Sequence, residues 1–285
     1  MNGEASCGKD WRKISEKEIA AVEALLRKKE NDYVSACGRF FARVPSRDTI
    51  WTLDAKKCPF SGILINAKAA FFPVLCGRKE IPNPRFLKSL LRRKKIHSVQ
   101  GLKEEVNVFE DALEKMGGCI RDIFDYDLMT LDKMPVQKDT LAASNLVLRV
   151  PQLTDLDAIA PLQSAYEKEE VLSKSSVYSP AASRINLTNI IAKGKILAAE
   201  LDGKIVGKIN VNAVSFTRYQ VGGVYVRPDF RGQGIARRMA YEFAAGLIKE
   251  GRRVTLFVKK SNIAARRLYL GLGFGIKGDY RITYY

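Results

Sequence analysis

Val221 to Arg238 reads VGGVYVRPDFRGQGIARR. Val221, Val224, Tyr225 and Val226 form an apolar, β-prone run, and Pro228 ends it because proline cannot donate to a sheet ladder. Arg231-Gly232-Gln233-Gly234-Ile235-Ala236 then turns into an amphipathic helix. Glycines at such a turn let successive backbone N–H groups approach a ligand with no Cβ in the way. Those amides open a helix, where unpaired donors and the helix dipole favour an anion. Arg231, Arg237 and Arg238 add fixed positive charge. The physical reading is a pyrophosphate cradle; the plainer alternative is a strand-to-helix turn that simply needs glycines.

The sequence downstream favours the cradle. Arg231, Gly234 and Ala236 give Arg-x-x-Gly-x-Ala, and Asn262-x-x-Ala265-x-x-Leu268-Tyr269-x-x-x-Gly273-Phe274 follows. The two motifs, in this order, resemble the acetyl-CoA loop and the second motif of the GNAT superfamily of N-acetyltransferases, over roughly residues 145–285. The resemblance implies an α/β fold, a mixed sheet with helices on both faces. It implies acetyl-CoA as acyl donor and a primary amine as acceptor, with direct attack in a ternary complex and no metal. Cofactor contacts are implied at the backbone of Val224, Tyr225 and Val226, at the loop Arg231, Gly232, Gln233, Gly234, Ile235, Ala236 and Arg237, and at Asn262 and Arg266. The pantetheine slot is expected as a splay between parallel strands at Val221–Val226 and Val254–Val258. Tyr269 matches the tyrosine that protonates the departing thiolate; taken alone, a helical Leu-Tyr pair reads as core.

The general base is not legible. No carboxylate lies between Tyr219 and Val226, which leaves Glu169, Glu170 and Glu200 as candidates acting through water. An ε-amine with pKa ~10.4 costs roughly 4–5 kcal/mol to deprotonate at neutral pH, against about 1 for an α-amine near ~7.7. A site without a strong base therefore suits a low-pKa amine.

The chain has 285 residues, a length for two ordinary domains, and 46% hydrophobic content, enough for real cores. No run is long and apolar enough for a membrane span, and the N-terminus lacks an apolar signal core, so a cytoplasmic location is expected. Five cysteines (Cys7, Cys37, Cys58, Cys76, Cys119), without a C-x-x-C pair, and the single His97 argue for free thiols and against a metal site. The net charge of +17 suits any polyanion, acetyl-CoA or nucleic acid.

Earlier in the chain, Ser15 with Glu18 forms a capping box for a helix to Lys29, and a second helix is expected over Asp32–Ala42. Strands are expected at Ile50–Leu53, Gly62–Asn66 and Ala69–Leu75. Asn83-Pro84 opens a helix to Arg93, and a strand at Ile96–Val99 follows. A helix at Leu102–Met116 closed by Gly117-Gly118 and a strand at Tyr126–Leu131 complete this half. The second half repeats that order. Its expected elements are a strand at Leu146–Val150, a Thr154-capped helix to Glu167 kinked or split by Pro161, and a helix from Ser183 or Arg184. A hairpin across Asp202-Gly203 follows, then the central strand, a helix Ile235–Lys249, a strand Val254–Val258, a helix from Asn262 and a strand Arg281–Tyr285. Tandem GNAT-like domains are therefore expected: 1–133 degenerate, 134–144 linker, 145–285 catalytic. The first copy has no Arg-x-x-Gly-x-Gly after Ala69–Leu75 and is expected not to bind acetyl-CoA.

Two other classes remain open. One is a non-catalytic acyl-CoA-binding or regulatory protein. The other is a basic nucleic-acid- or ribosome-associated protein, motivated by the charge and by Arg92-Arg93-Lys94-Lys95. Both monomer and homodimer are compatible with the sequence.

Overall fold

A computed structural model describes residues 11–44, 48–53, 60–79, 84–93, 96–134, 145–173 and 176–285. Cys7, Cys58, Asn83, Lys94, Lys95 and nearly all of the expected linker lie outside the described residues. The elements run β1 (Trp11–Lys13), α1 (Ile19–Lys28), α2 (Val34–Phe41), β2 (Thr49–Leu53), β3 (Gly62–Ala67), β4 (Ala70–Val74), α3 (Pro84–Arg93), β5 (Ser98–Leu102), α4 (Lys103–Glu114) and β6 (Asp122–Leu131). The same series then recurs as β7 (Leu146–Arg149), α5 (Leu156–Tyr166), α6 (Pro180–Ala192), β8 (Ile196–Leu201), β9 (Lys204–Val214), β10 (Arg218–Val226), α7 (Ile235–Lys249), β11 (Arg253–Lys259), α8 (Ile263–Gly271) and β12 (Gly275–Tyr284).

The chain forms two compact units, residues 1–128 with 277–285, and residues 129–276. In the first, the strand order is β1-β2-β3-β4-β5-β12; β4 and β5 run parallel, and the other registered pairs are antiparallel. Trp51, Leu64, Phe71, Leu75, Val106 and Phe109 fill its core. The second has the order β7-β8-β9-β10-β11 with the last residues of β6 beside β11, where the Thr255 hydroxyl donates to the Met129 carbonyl at 3.0 Å. Its core includes Val206, Ile209, Met239, Phe243, Val254 and Leu256. The sequence reading assigned residues 277–285 to the second domain, but their contacts lie with the first unit. Tyr280 to Tyr284 pair with Leu102 to Ser98, and Arg281 reaches Asp125, Asn107 and Glu110.

Several boundaries differ from expectation for local reasons. Gln152, not Thr154, opens the first turn before α5, and its backbone N–H donates to Asp155 at 2.8 Å. Arg149 grips the same carboxylate through two nitrogens and holds its pKa down to about 2. Pro161 does not split α5. It lies on the exposed face, where water can satisfy the carbonyl left without its N–H donor. The helix instead widens after Tyr166 into a π turn, Glu167–Val171, closed by Leu172 N–H on the Glu167 carbonyl at 2.8 Å. α6 begins at Pro180 because Ser179 caps it, its hydroxyl accepting from Ala182 N–H at 3.3 Å. β5 starts two residues later than expected, and β12 starts six residues earlier. Among the described residues, no helix is long and apolar enough to cross a membrane.

Candidate active site

The site of the second unit begins where β10 and β11 part. Their parallel pairing runs from Arg218–Arg253 to Val221–Leu256, yet β10 continues to Val226 and β11 to Lys259. Beyond Val221 the two strands leave a slot. On its other edge β10 pairs with β9, Gly222 with Asn210 and Tyr225 with Lys208, which gives β10 one residue more than its partner. That bulge needs glycine. Gly223 has φ +60°, and a Cβ there would lie 1.9 Å from Asn210 Oδ1; a Cβ on Gly222 would lie 2.1 Å from Asn212 Nδ2. The Gly222-Gly223 pair is thus a bulge with side chains filling the space their missing Cβ atoms leave.

The turn after β10 holds the predicted cradle. Gly232 (φ +80°) and Gly234 (φ +76°) are left-handed, and the position of a Gly232 Cβ faces open space. Gly234 is the N-cap of α7, so the amides from Ile235 onward open a 15-residue helix. Arg231 folds back across the turn. Its Nε donates to the Val226 carbonyl at 3.0 Å, and its guanidinium lies 5.2 Å from the Tyr225 ring centroid. Gln233 is exposed and Ala236 half-buried at the same turn. Arg237 points elsewhere, donating to the Gly271 carbonyl at the end of α8 at 3.1 Å.

Asn262 caps α8, its Oδ1 accepting from Ala265 N–H at 3.0 Å, while its Nδ2 donates to Glu170 at 3.1 Å. Arg266 is half-buried on the same helix, one turn from the cap. A cleft of about 440 Å³ opens here, lined by Glu169, Glu170, Lys259, Ser261, Asn262, Ile263 and Ala264. The π turn delivers both candidate carboxylates to it. Glu169 accepts from the Tyr225 hydroxyl at 2.7 Å and from Arg231 at 3.1 Å; Glu170 lies 3.7 Å from Lys259. Glu200 is elsewhere, ion-paired with Arg149 at 2.8 Å on β8. Tyr269 is 7% exposed and stacks edge-on with Phe274 at 5.6 Å. Burial raises its pKa first, and nearby Tyr166 and Glu170 add to that, so the hydroxyl holds its proton at neutral pH.

One part of the site went unnoticed in the sequence. Lys208 is fully buried, and its Nζ donates to the Gly223 carbonyl at 2.8 Å and to Asn210 Oδ1 at 2.9 Å. Asn210 Nδ2 donates to Asn212 at 2.8 Å. The Tyr166 hydroxyl receives hydrogen bonds from the Asn212 side chain and the Gly223 backbone, and its ring lies 4.9 Å from Lys208 Nζ. Burial pushes the Lys208 ammonium down to about 7, against a smaller upward pull from Glu167. The signal was available: Lys208, Asn210 and Asn212 alternate along one strand and so share a face.

Two copies of one helix-and-strand series, each with a parallel strand pair, make the fold a tandem repeat. Residues 161–274 match the family described as Acetyltransferase (GNAT) family. An uncharacterized N-acetyltransferase of Archaeoglobus fulgidus is 34% identical over 84 residues, which is 27% of this chain and 57% of that protein. The chain thus spans little more than half the length of that curated relative. A Drosophila protein of known structure is similar over 96% of this chain and 98% of its own, with TM-score 0.65 and 13% identity. A tandem GNAT protein from the clavulanic acid biosynthesis pathway covers 96% and 97%, with TM-score 0.58 and 14% identity. An acetyltransferase of the GNAT family from Colwellia psychrerythraea covers 96% and 98%, with TM-score 0.54 and 12% identity. At these identities the structures speak for the fold. The residues of this chain fit an acyl-CoA on their own geometry: open left-handed glycines before a helix, an unpaired strand edge, and cations at Arg231 and Lys259.

Proposed function

We propose that the protein is an acetyl-CoA-dependent N-acetyltransferase of the cytoplasm, with residues 145–276 holding the active site and the N-terminal copy degenerate. The observation that carries this reading is the slot between β10 and β11, which opens beside a glycine bulge and ends at the left-handed loop of α7. Acetyl-CoA supplies an activated thioester. The amides from Gly232 to Ala236 and the Arg231 guanidinium bind its pyrophosphate; Asn262 and Arg266 bind from α8, and Arg237 orients the end of that helix. The backbone of Val224 to Val226 pairs with the pantetheine as an added strand, and an amide there polarises the thioester carbonyl. Tyr269 holds the proton that the leaving thiolate takes. Its burial fits that role, since a raised pKa keeps the phenol protonated until it is needed.

Both candidate carboxylates line the cleft and both are partnered, Glu169 by Tyr225 and Arg231 and Glu170 by Asn262 and Lys259. Glu170 is the better placed base because it also lies close enough to Tyr269 to raise its pKa. A primary amine of low pKa remains the acceptor that this site suits best. Calorimetric titration with acetyl-CoA, followed by amine-dependent thiol release over a panel of amines, tests the whole reading. The expected result is one binding site per chain and turnover with at least one α-amine. Two sites would restore function to the first copy. Absence of binding would sink the proposal and turn attention to polyanions such as RNA. Binding without turnover on any amine would favour a regulatory acyl-CoA sensor.

A further inference from the structure

The slot explains where a thioester can lie but not what fixes the direction of the amide that polarises it. A bulge is a weak point in a sheet, because its extra residue has lost its ladder partner. Here Gly222 to Tyr225 oppose only Asn210 to Lys208, so the peptide between Gly223 and Val224 is oriented by side chains. Lys208 Nζ holds its carbonyl at 2.8 Å, and Asn210 holds Lys208 at 2.9 Å. Asn212 links Asn210 to the Tyr166 hydroxyl, which hydrogen-bonds to the Gly223 backbone. Both ends of Gly223 are therefore tied into one polar chain, and the rest of β9 around it is apolar (Val206, Ile209).

A trans peptide is planar, with its C=O and the following N–H pointing in opposite directions. Anchoring the Gly223 carbonyl on Lys208 turns the Val224 N–H away from Lys208. The neighbour of β10 on the other side is β11, and pairing with it has already ended at Val221. Val224 therefore has no registered partner on β11 among the described residues. A hydrogen bond at the carbonyl end also polarises the peptide, which makes the N–H at its far end a stronger donor.

We propose that Lys208, held by Asn210, Asn212 and Tyr166, is a positioning residue that aims and strengthens the Val224 amide as the oxyanion donor for the thioester carbonyl. The inference rests on the acetyltransferase reading above. It assigns a task to a buried amine that touches neither the loop nor the cleft. A lysine that served only as packing could be replaced by an apolar side chain of equal length without consequence for the ligand.

The test uses the full chain, with acetyl-CoA labelled with ¹³C at the acetyl carbonyl, and isotope-edited infrared difference spectra of the bound ligand. In the wild type the thioester carbonyl band should lie below its position in free acetyl-CoA, as expected of a polarised carbonyl. In Lys208→Met the band should return toward the free position while calorimetric affinity changes less than about tenfold. Where the amine screen yields an acceptor, kcat should fall roughly 10-fold or more with KM for acetyl-CoA nearly constant, somewhat less than the ~10²–10³ for losing an oxyanion donor outright. An unchanged band in folded Lys208→Met overturns the role of Lys208 and leaves the acetyltransferase reading standing. No binding of acetyl-CoA to the wild type overturns both. If Lys208→Met does not fold, Tyr166→Phe carries the same test; it removes the hydroxyl at the other end of Gly223 and should also raise the band.

Discussion

Tyr269 lies where packing and the proposed chemistry meet. Its ring sits in the core of the second unit against Phe274, and burial keeps its hydroxyl protonated. Tyr269→Phe keeps the ring and removes the proton. Turnover should fall by ~10²–10⁴, the usual contribution of a positioned acid, with acetyl-CoA affinity and melting temperature nearly unchanged. Stopped-assay kinetics beside calorimetry would decide it, and a full-rate Tyr269→Phe would return the residue to the core. Single residues also mark the limit of reading by motif. Arg231 and Asn262 make local contacts, a guanidinium on its own turn and a cap on its own helix, and of these the cap is legible from the sequence. The motif also places Arg237 at the cofactor, and its contact with the Gly271 carbonyl, far along the chain, is one that no local pattern shows.

The two copies differ most sharply at one helix start. α4 and α8 both follow the strand that runs parallel to its unit's fourth strand, and their third residues are Glu105 and Ala265. Glu105 is 2% exposed, and its carboxylate accepts from Tyr33 at 2.5 Å and from the backbone of Leu75 and Gly77 at 2.8 and 3.2 Å. Burial nonetheless raises its pKa above the usual carboxylate range. Those amides belong to the turn after β4, the counterpart of the glycine turn after β10. In the first copy an internal carboxylate occupies donors of that turn; in the second the corresponding helix residue is Ala265, which brings no carboxylate. Glu105→Ala should therefore destabilise the N-terminal unit by about 2 kcal/mol or more, since it strands two buried donors, the Tyr33 hydroxyl and the Leu75 N–H, and should create no second acetyl-CoA site. Denaturant unfolding and a repeat of the titration check both halves. A second site in that variant would show the plug to be the whole difference between the copies. At this scale the sequence was most informative where a helix carries its own punctuation. The helix Ile235–Lys249 is legible to the residue from the glycine turn and the apolar stripe, whereas the helix expected from Ser183 or Arg184 starts at Ser179-Pro180, an equally clear cap and first-turn proline.

Strand partners are a property of the whole chain, and alternation within a strand does not reveal them. The pattern of β12 shows which residues face inward, but nothing in residues 275–284 says that the neighbour is β5, some 180 positions earlier. The consequence is energetic as well as topological. Arg281 reaches Asp125 at 2.8 and 3.1 Å, Asn107 at 2.9 Å and Glu110 at 3.0 Å; Thr283 also donates to Glu110. Arg281 and Lys103 together hold the pKa of Asp125 down to about 2, the guanidinium contributing more. The N-terminal unit is therefore built from both ends of the chain. Removing residues 277–285 would bare the edge of β5 and leave the buried Glu110 without its cation. Losing one partner of such a buried pair costs roughly 3–5 kcal/mol, a large part of the stability of a domain this size. A chain ending at Ile276 should lose hydrogen-exchange protection across β3, β4 and β5, while Arg281→Met in the full chain, which keeps the strand and loses only the charge, should show a partial loss. Equal protection in the truncated and full chains would mean that residues 11–128 fold without the tail, and the strand they share with it would be an ornament of the fold instead of part of its core.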